Sequence, residues 1–378
     1  MANSYIAGDN VISSLGFSTA ENFGSLLKGV SGIKTGKYDD LYPEEFPASL
    51  IDRERLASES EKLKINSNFT PFEQLLIISI SKALKSTAID VKSPGTLLII
   101  STTKGNIDLL KNNPQDFDKE RVKLWKSSRE IGKFFGVANE PLVISNACIS
   151  GVLALNIADR FIKWGKYNNV IVAGADLLSE FVVSGFQSFL SLSKDICKPF
   201  DSDRTGLSLG DGAATVVLTE SKEEAKKPLI KIVSGSGSND ANHISGPSRT
   251  GEGLYIVIND ILKGKKDIDF ISAHGTATPY NDDMESMAID RNGLNSVPVN
   301  SFKGYIGHTL GAAGVMESVF CFESMRQNVI IGTYGFQNPG TVKKINVVKE
   351  TKPAELNRVL KTASGFGGSN AAVLFEKT

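Results

Sequence analysis

The chain lacks several features that mark whole classes of function. Lys plus Arg equals Asp plus Glu at 42 each, so no net charge attracts nucleic acid or an anionic membrane. No apolar run reaches the roughly 18 residues of a transmembrane helix. The first ten residues, MANSYIAGDN, show no basic-then-apolar plan of a signal peptide. We therefore predict a cytoplasmic protein that neither spans a membrane nor binds nucleic acid.

Cysteine and histidine are also scarce, with three of each in 378 residues. Cys148, Cys197 and Cys321 are spaced too irregularly for a disulfide framework or a C-x-x-C metal pair. Free cysteines are typical of a reducing compartment. We expect no metal site.

The chain does contain apolar, β-branched runs that alternate with helical patterns. Strands are predicted at 95–101, 169–176 and 268–273, and helices at 19–27, 72–86, 149–164 and 253–263. This alternation predicts an α/β fold with a largely parallel, helix-covered sheet. Residues 45–70 read as a polar surface excursion, and 106–130 as irregular and charged.

A faint internal repeat is also present. The segment 210–218 (GDGAATVVL) resembles 368–375 (GSNAAVLF), and 150–152 (SGV) resembles 313–315 (AGV), at similar separations of roughly 160 residues. Two like halves would produce such a repeat. The linker-like run KEEAKKP at 222–228 places the boundary between domains 1–222 and 223–378.

The segment 143–151 (VISNACISG) predicts a strand, a sharp turn and a helix, with Cys148 in the first helical turn. The unpaired N–H groups and positive end of a helix favour a thiolate. Ala147, Ser150 and Gly151 leave room for a substrate. The alternative is a buried structural cysteine.

Two of the histidines lie in unusual settings. His274 follows an apolar run and opens HGTATPYNDDME, and His308 lies in NSFKGYIGHTLGAAG. We expect both at the C-terminal ends of strands, where α/β sheets bind ligands. A lone histidine is usually a core or capping residue. Two beside glycines, with a cysteine at a helix start, favour catalysis.

These motifs together resemble those of β-ketoacyl-acyl carrier protein synthases of the elongating Cys-His-His type, in the thiolase-fold superfamily. SNACISG is similar to the family's T-A-C-x-S-G, and HGTATPYND with Glu285 to its H-G-T-x-T-x-x-N-D-x-x-E. SFKGYIGHTLGAAG and SGFGGSNAAVLFE match its lysine-histidine and closing glycine-rich motifs. The resemblance spans nearly the whole chain. It implies a thiolase-like α/β fold with two similar halves in five αβαβα layers, the cysteine in 1–222 and both histidines and Lys303 in 223–378.

The resemblance implies an acyltransferase with no cofactor of its own, whose substrates are carried on phosphopantetheine. Cys148 takes an acyl group, and a malonyl thioester then loses CO2 and attacks the acyl carbon in a Claisen condensation. His274 and His308 donate from neutral Nε2–H groups to the enolate oxygen. The product is a β-ketoacyl-acyl carrier protein, in fatty-acid or specialised polyene or polyketide biosynthesis.

The resemblance also assigns supporting roles. Lys303 holds the His308 region and Glu285 in a polar network. Backbone N–H groups of Cys148 and Phe366 form an oxyanion hole, and Phe366 is a gating aromatic. The alternative for Phe366 is a core residue at a strand start.

The partners follow from the same resemblance: an acyl carrier protein, and a second copy of the chain or a degenerate ketosynthase-like subunit. Thr276 and Thr278 are predicted to bind the pantetheine arm, unless they only shape a turn. Arg204, with Lys62 and Lys64, is predicted to contact an acidic carrier protein, although surface lysines are usually only solvated.

Some positions depart from the family pattern. Asn146 stands where threonine is common, Thr205 where aspartate is common, and the segment 106–140 is short and contains Trp125. These departures leave the acyl specificity open and favour a specialised pathway, with an unusual primary fatty-acid enzyme as the alternative.

The residues argue against four other functions. A degradative thiolase needs a second cysteine in the C-terminal loop, which here is GFGGSN, while Cys321 lies in a predicted helix. An initiating synthase has asparagine in place of the second histidine. A chain-length-factor-like subunit usually lacks the nucleophile, and a Cys-His hydrolase does not need a second histidine and a lysine.

Overall fold

The computed structural model describes residues 2–111, 113, 115–244 and 246–378 as a mixed α/β protein. Its strands are β1 (Ser4–Ile12), β2 (Lys34–Tyr38), β3 (Tyr42–Ser49), β4 (Thr96–Ser101), β5 (Leu142–Ile144), β6 (Asn169–Asp176), β7 (Leu209–Gly210), β8 (Gly212–Thr219), β9 (Ile230–Asn239), β10 (Phe270–Ser272), β11 (Pro298–Asn300), β12 (Val329–Ile330), β13 (Asn346–Val347), β14 (Lys352–Pro353), β15 (Arg358–Gly365) and β16 (Ser369–Lys377). Its α-helices are α1 (Thr19–Leu27), α2 (Arg53–Lys62), α3 (Pro71–Leu84), α4 (Leu124–Phe135), α5 (Ser150–Lys163), α6 (Glu180–Ser188), α7 (Glu252–Leu262), α8 (Pro279–Arg291), α9 (Lys303–Ile306) and α10 (Ala313–Gln327).

The main sheet repeats one pairing pattern on either side of its centre. Its order is β13-β11-β10-β15-β16-β9-β1-β8-β6-β4-β5. Outward from β1, the pairs with β8 and then β6 are antiparallel, and those with β4 and β5 are parallel. Outward from β9, the pairs with β16 and β15 are antiparallel, and those with β10 and β11 are parallel. The repeated segments of the sequence fall on β8 and β16, which occupy equivalent positions.

The helices form three layers around the two halves of this sheet. α3 packs on β1 and β8, α7 packs on β9 and β16 beside α8, and α5 and α10 pack on each other between the halves. A continuous apolar core surrounds these two central helices. The result is the predicted thiolase-like αβαβα arrangement.

The two central helices approach each other through glycine. A Cβ atom on Gly151 would lie 2.6 Å from the backbone nitrogen of Val315, and one on Gly314 would come closer still to the backbone nitrogen of Val152. α5 is followed by strands of the first half of the sheet and α10 by strands of the second half. The contact between the two helices therefore joins the halves, and it lies at the start of α5. Cys148 lies two residues before the start of α5.

Local signals explain where several elements begin. The side chain of Thr70 accepts a hydrogen bond from the Glu73 N–H, the Glu73 carboxylate accepts one from the Thr70 N–H, and Pro71 starts α3. Gly136 ends α4 in the left-handed conformation. None of the described helices is long and apolar enough to cross a membrane.

Parts of the sequence-based prediction were wrong. The sheet is not largely parallel, since β8, β9 and β16 pair only antiparallel with their neighbours. The surface excursion at 45–70 contains most of β3 and all of α2. The stretch 106–130 holds two short 3-10 turns and the start of α4, and Asn112 and Pro114 lie outside the described residues. The division into domains 1–222 and 223–378 stays a prediction.

Candidate active site

The cysteine lies in a tight turn between β5 and α5. Ala147, just before it, has a left-handed φ of 44°. The hydroxyl of Ser150 accepts a hydrogen bond from the Asn146 N–H at 2.8 Å and donates one to the Ala147 carbonyl at 2.6 Å. The turn is thereby closed around Cys148, which is buried and directs its sulfur into the adjoining cavity.

The structure brings the predicted cysteine and histidines together. His308 Nε2 lies 3.0 Å from Cys148 Sγ, and the rings of His274 and His308 are 5.1 Å apart and nearly perpendicular. The sulfur and one nitrogen from each ring lie within 4.8 Å of one another. This spacing places both rings around one small volume beside the sulfur.

His308 does not follow a strand, contrary to the sequence-based expectation. It comes after α9 and Gly307, whose φ is 68°. Its backbone N–H donates to the Ser208 carbonyl at 2.7 Å, and its carbonyl accepts from the Gly210 N–H at 3.1 Å. The first half of the chain therefore positions this histidine of the second half.

His274 lies two residues after the end of β10 and is held on several sides. Its backbone N–H and that of Gly275 donate to the two carboxylate oxygens of Glu285 at 2.7 and 2.6 Å. The Lys303 ammonium donates to the His274 carbonyl at 2.6 Å and lies 3.3 Å from Nδ1. Because an ammonium only donates, Nδ1 is the acceptor and the ring proton lies on Nε2.

Lys303 takes a different partner from the one predicted. It forms an ion pair with Glu317 at 2.8 Å and holds His274, whereas Glu285 binds the backbone on the other side of His274. Its described contacts do not reach His308 directly. The predicted direct links of Lys303 to Glu285 and to the His308 region are therefore replaced by links to Glu317 and His274.

Both rings are neutral at physiological pH. Burial holds the pKa of His274 and of His308 well below the usual value, and the positive charge of Lys303 adds to this effect. A neutral imidazole has one N–H donor and one bare nitrogen. Each ring can therefore donate one hydrogen bond and accept one proton.

Cys148 is a thiol at rest, contrary to the expected thiolate. Burial raises its pKa to about 11, against the lowering effects of the Lys303 charge and of the Phe366 backbone N–H. Activation therefore requires a base, and His308 Nε2 is 3.0 Å from the sulfur.

The rate of Cys148 alkylation by iodoacetamide should rise about tenfold per pH unit from pH 7 to 9, because only the thiolate reacts and its pKa lies near 11. Mass spectrometry of the modified peptide measures this rate, with Cys148→Ala as the control for labelling elsewhere. A plateau near pH 8 would show instead a stable thiolate–imidazolium pair.

A cavity of about 550 Å³ leads to the three residues. Phe366 is half-buried in the turn between β15 and β16 and lines this cavity, so it is not a core residue. Its ring lies 5.4 Å from that of Phe186 and 5.3 Å from that of Phe189. A gating movement of Phe366 stays a prediction.

Of the residues predicted to bind the carrier protein or its pantetheine arm, the structure places some at the cavity and others away from it. Thr276 and Thr278 line the cavity, with their hydroxyls 2.9 Å apart. Arg204 is not available to a carrier protein, because its buried guanidinium is paired with Asp283 at 2.8 Å and donates to two backbone carbonyls. Lys62 is exposed and paired with Glu59 on its own helix.

Sequence reasoning missed further residues of the site. The signal for Glu317 was a carboxylate in the apolar helix AAGVMESVFCFESM, and that for Lys361 was a lysine in the apolar strand RVLKTASG. Phe186 and Phe189 carried no distinctive pattern. The two charged residues were detectable as violations of an otherwise apolar element.

A buried cysteine beside two neutral histidines, in a two-halved αβαβα fold, defines a thiolase-like condensing acyltransferase. The family model described as the β-ketoacyl synthase N-terminal domain matches residues 5–224, and that of the C-terminal domain matches 230–337. The chain belongs to the β-ketoacyl synthase family.

Individual relatives agree with this assignment. The chain is 32% identical to 3-oxoacyl-acyl carrier protein synthase 2 of Rhizobium meliloti over 62% of this chain and 60% of that protein. It is 26% identical to the synthase 2 of Vibrio cholerae over 98% of both. It superposes with a TM-score of 0.86, at 23% identity, on a chain from the complex of a ketosynthase with its chain length factor from Xenorhabdus doucetiae, over 100% of this chain and 98% of that one. This last likeness shows the fold.

Proposed function

We propose that the protein performs the decarboxylative condensation of its family with Cys148 as nucleophile and His274 and His308 as oxyanion donors. The observation that carries this proposal is the 3.0 Å contact between Cys148 Sγ and His308 Nε2, beside a His274 ring whose Nδ1 faces an ammonium. A structural cysteine would not need either histidine.

In the first half-reaction, Cys148 Sγ attacks the thioester carbonyl of an acyl carrier protein. The thiol proton passes to His308 Nε2 and then to the departing pantetheine thiolate, while a new thioester forms on Cys148. The backbone N–H groups of Cys148 and Phe366 stabilise the tetrahedral oxyanion. The Phe366 N–H lowers the pKa of the Cys148 thiol, and a Cβ on Gly365 would lie 3.0 Å from the Cys148 nitrogen, which shows how closely this loop approaches.

In the second half-reaction, the malonyl carboxylate leaves as CO2, and its bonding electrons form an enolate. The enolate oxygen accepts hydrogen bonds from Nε2 of both histidines, the carbanion attacks the acyl carbon, and the Cys148 thiolate leaves. One proton taken up from solvent restores the thiol. Among the described residues no partner fixes Nδ1 of His308. His308 can therefore accept a proton in the first half-reaction and donate in the second, whereas Lys303 keeps His274 a donor.

A carrier protein supplies both substrates in this proposal, and Thr276 and Thr278 guide the pantetheine arm into the cavity. No other cofactor or metal takes part. A reducing cytoplasm suits the free thiols. The protein acts as a dimer, since β5 is an edge strand of the main sheet and the neighbouring Ser145 and Asn146 are exposed. The partner is a second copy or, alternatively, a degenerate ketosynthase-like subunit.

The second candidate function is a chain-length-factor-like subunit that only shapes a partner's pocket. It is favoured by the likeness to chains from ketosynthase and chain length factor complexes. The complete cysteine and histidine arrangement opposes it.

Wild-type protein mixed with a panel of acyl-carrier thioesters should gain the mass of one acyl group, and Cys148→Ala should gain none. Cys197→Ala is the matched control, because Cys197 is also buried and free but does not line the cavity. Intact-protein mass spectrometry measures acylation, and malonyl carrier should then release a β-ketoacyl carrier product. Absence of any adduct on folded protein would favour the non-catalytic subunit.

A further inference from the structure

A second lysine is buried beneath the histidines. Lys361 lies on β15 and has no solvent exposure, and its strand pairs in parallel with β10 so that Lys361 is opposite Ser272. Its ammonium lies 2.5 Å from Glu317 and 3.1 and 3.3 Å from the carbonyls of Ala273 and Ser272. Burying an ammonium is costly, and an apolar residue of similar size would fill the space without that cost.

One carboxylate is shared by two ammonium groups. Glu317 Oε1 pairs with Lys303 at 2.8 Å, and Oε2 pairs with Lys361 at 2.5 Å. These two positive charges hold the pKa of Glu317 below its usual value in spite of complete burial. Glu317 is therefore ionised, and each of its carboxylate oxygens holds one of the two ammonium groups.

The two lysines bind different backbone carbonyls at the end of β10. Lys303 binds the carbonyl of His274, and Lys361 binds those of the two preceding residues, Ser272 and Ala273. Three successive carbonyls leading to the histidine are thus held by two ammonium groups. Since Ser272 is the last residue of β10, the carbonyls of Ala273 and His274 lie beyond the strand, where the two ammonium groups serve as their donors.

We propose that Lys361 is a positioning residue for the condensation step, which acts through Glu317 and the Ser272 and Ala273 carbonyls to fix the His274 ring beside Cys148. This inference rests on the proposed function, since it concerns the same histidine. Lys361 touches neither substrate nor sulfur. It affects the position of the His274 ring and the electrostatic potential at both histidine rings.

The charge of Lys361 also acts on the protonation of the pair. It contributes to the lowered pKa of His274 and of His308, so its removal should raise both pKa values. Because only the neutral rings are active, the rate of CO2 release should then begin to fall at a higher pH on the acid side of its pH profile.

The other ionisable groups around Lys361 set the background for that shift. Three of them contact or face the ammonium directly: Glu317 and Cys321 of α10 and Lys303 of α9. Two carboxyl groups of α8, Glu285 and Asp282, lie further away. Glu285 lies 3.3 Å from the hydroxyl of Thr362, the neighbour of Lys361 on β15. Burial raises the pKa of Cys321 to about 12, so it stays neutral. Burial and Glu285 raise the pKa of Asp282 to about 7. Lys361 does not itself shift the pKa of Asp282, but it lowers that of Glu285, so the control variant and the separate acylation rate are needed to assign the change in the profile.

The test compares Lys361→Met with Lys163→Met in the full-length protein. Lys163 is a matched control because it also combines an ion pair, with Asp159 at 2.8 Å, and a bond to a backbone carbonyl, that of Val233, at the far end of α5. Two rates are measured from pH 5 to 9: acylation of Cys148 by an acyl-carrier thioester, and CO2 release from malonyl carrier. Thermal unfolding is followed in parallel.

We expect Lys361→Met to lower CO2 release about 10- to 100-fold, as is common when a residue that orients a reacting group through a second contact is lost. Acylation should change less than about threefold, because His308 and Cys148 keep their contact. The acid limb should move to higher pH, and Lys163→Met should change neither rate. If Lys361→Met does not fold, Lys361→Gln, which keeps an N–H donor without the charge, is compared in the same way.

Equal loss of both rates with a lowered melting temperature would show that Lys361 is only structural and would overturn the inference. Unchanged CO2 release by Lys361→Met, with an unmoved acid limb of its pH profile, would also overturn the inference. The proposed function would still hold in that case, provided that the wild-type protein is active. If wild-type protein neither acylates nor releases CO2, the proposed function itself fails.

Discussion

Replacing His274 with alanine should nearly abolish condensation while leaving acylation of Cys148 largely intact. His274 is held as a donor by Lys303 and is not the ring in contact with the sulfur, so its N–H is needed only when the enolate forms. Loss of one preorganised oxyanion donor typically lowers a rate about 10²- to 10³-fold. Replacing His308 with alanine should lower both half-reactions, because that ring also accepts the thiol proton. Acylation is measured by intact mass and condensation by CO2 release and product formation.

His274→Gln is the conservative control for this prediction. Its amide restores an uncharged N–H donor without a titratable ring, so CO2 release should recover part of what His274→Ala loses. Retained acylation in His308→Ala, or equal loss of both half-reactions in His274→Ala, would contradict the division of roles. The first outcome would mean that another group accepts the thiol proton.

The elements predicted best from the sequence are those whose ends carry local signals. The helix at 19–27 has the predicted bounds, and Ser18 caps it by accepting from the Glu21 N–H. The strand at 169–176 also has the predicted bounds, because a fully apolar run is bounded there by polar residues. Such signals depend on neighbours in the chain and need no knowledge of the rest of the fold.

Strand direction could not be predicted in the same way. A strand covered on both faces reads as a continuous apolar run whether its neighbours are parallel or antiparallel. β8 is such a strand, and it lies antiparallel between β1 and β6. The direction is set by which strands meet, and those pairings join residues far apart in sequence.

The state of the cysteine shows why a correct motif did not give the correct electrostatics. A helix N-terminus stabilises an anion by about 0.3–1 kcal/mol, whereas one pKa unit corresponds to about 1.4 kcal/mol. Burial outweighs the favourable contributions and raises the Cys148 pKa from 9.0 to about 11. The degree of burial depends on packing from both halves of the chain, which no local pattern reveals.

A substitution where the central helices α5 and α10 cross should strongly lower the stability of the protein. Gly314→Ala should destabilise the protein by about 1–3 kcal/mol, because the added methyl group overlaps the backbone nitrogen of Val152 and backbone atoms cannot rotate away. Thermal or urea unfolding measures the loss. The same overlap pushes apart the helices that follow Cys148 and His308, so the Sγ–Nε2 contact should lengthen and acylation should slow.

Gly24→Ala is the matched control for that substitution, since Gly24 also lies inside a helix but a Cβ there has no atom within 4 Å. It should stabilise the protein by about 0.5–1 kcal/mol through the lower backbone entropy of alanine in the unfolded chain. The opposite signs separate the close approach of the helices from the general effect of removing a helical glycine. Equal stabilisation by both substitutions would show that the helices do not touch at Gly314, and the close joining of the two halves at the nucleophile would then be wrong.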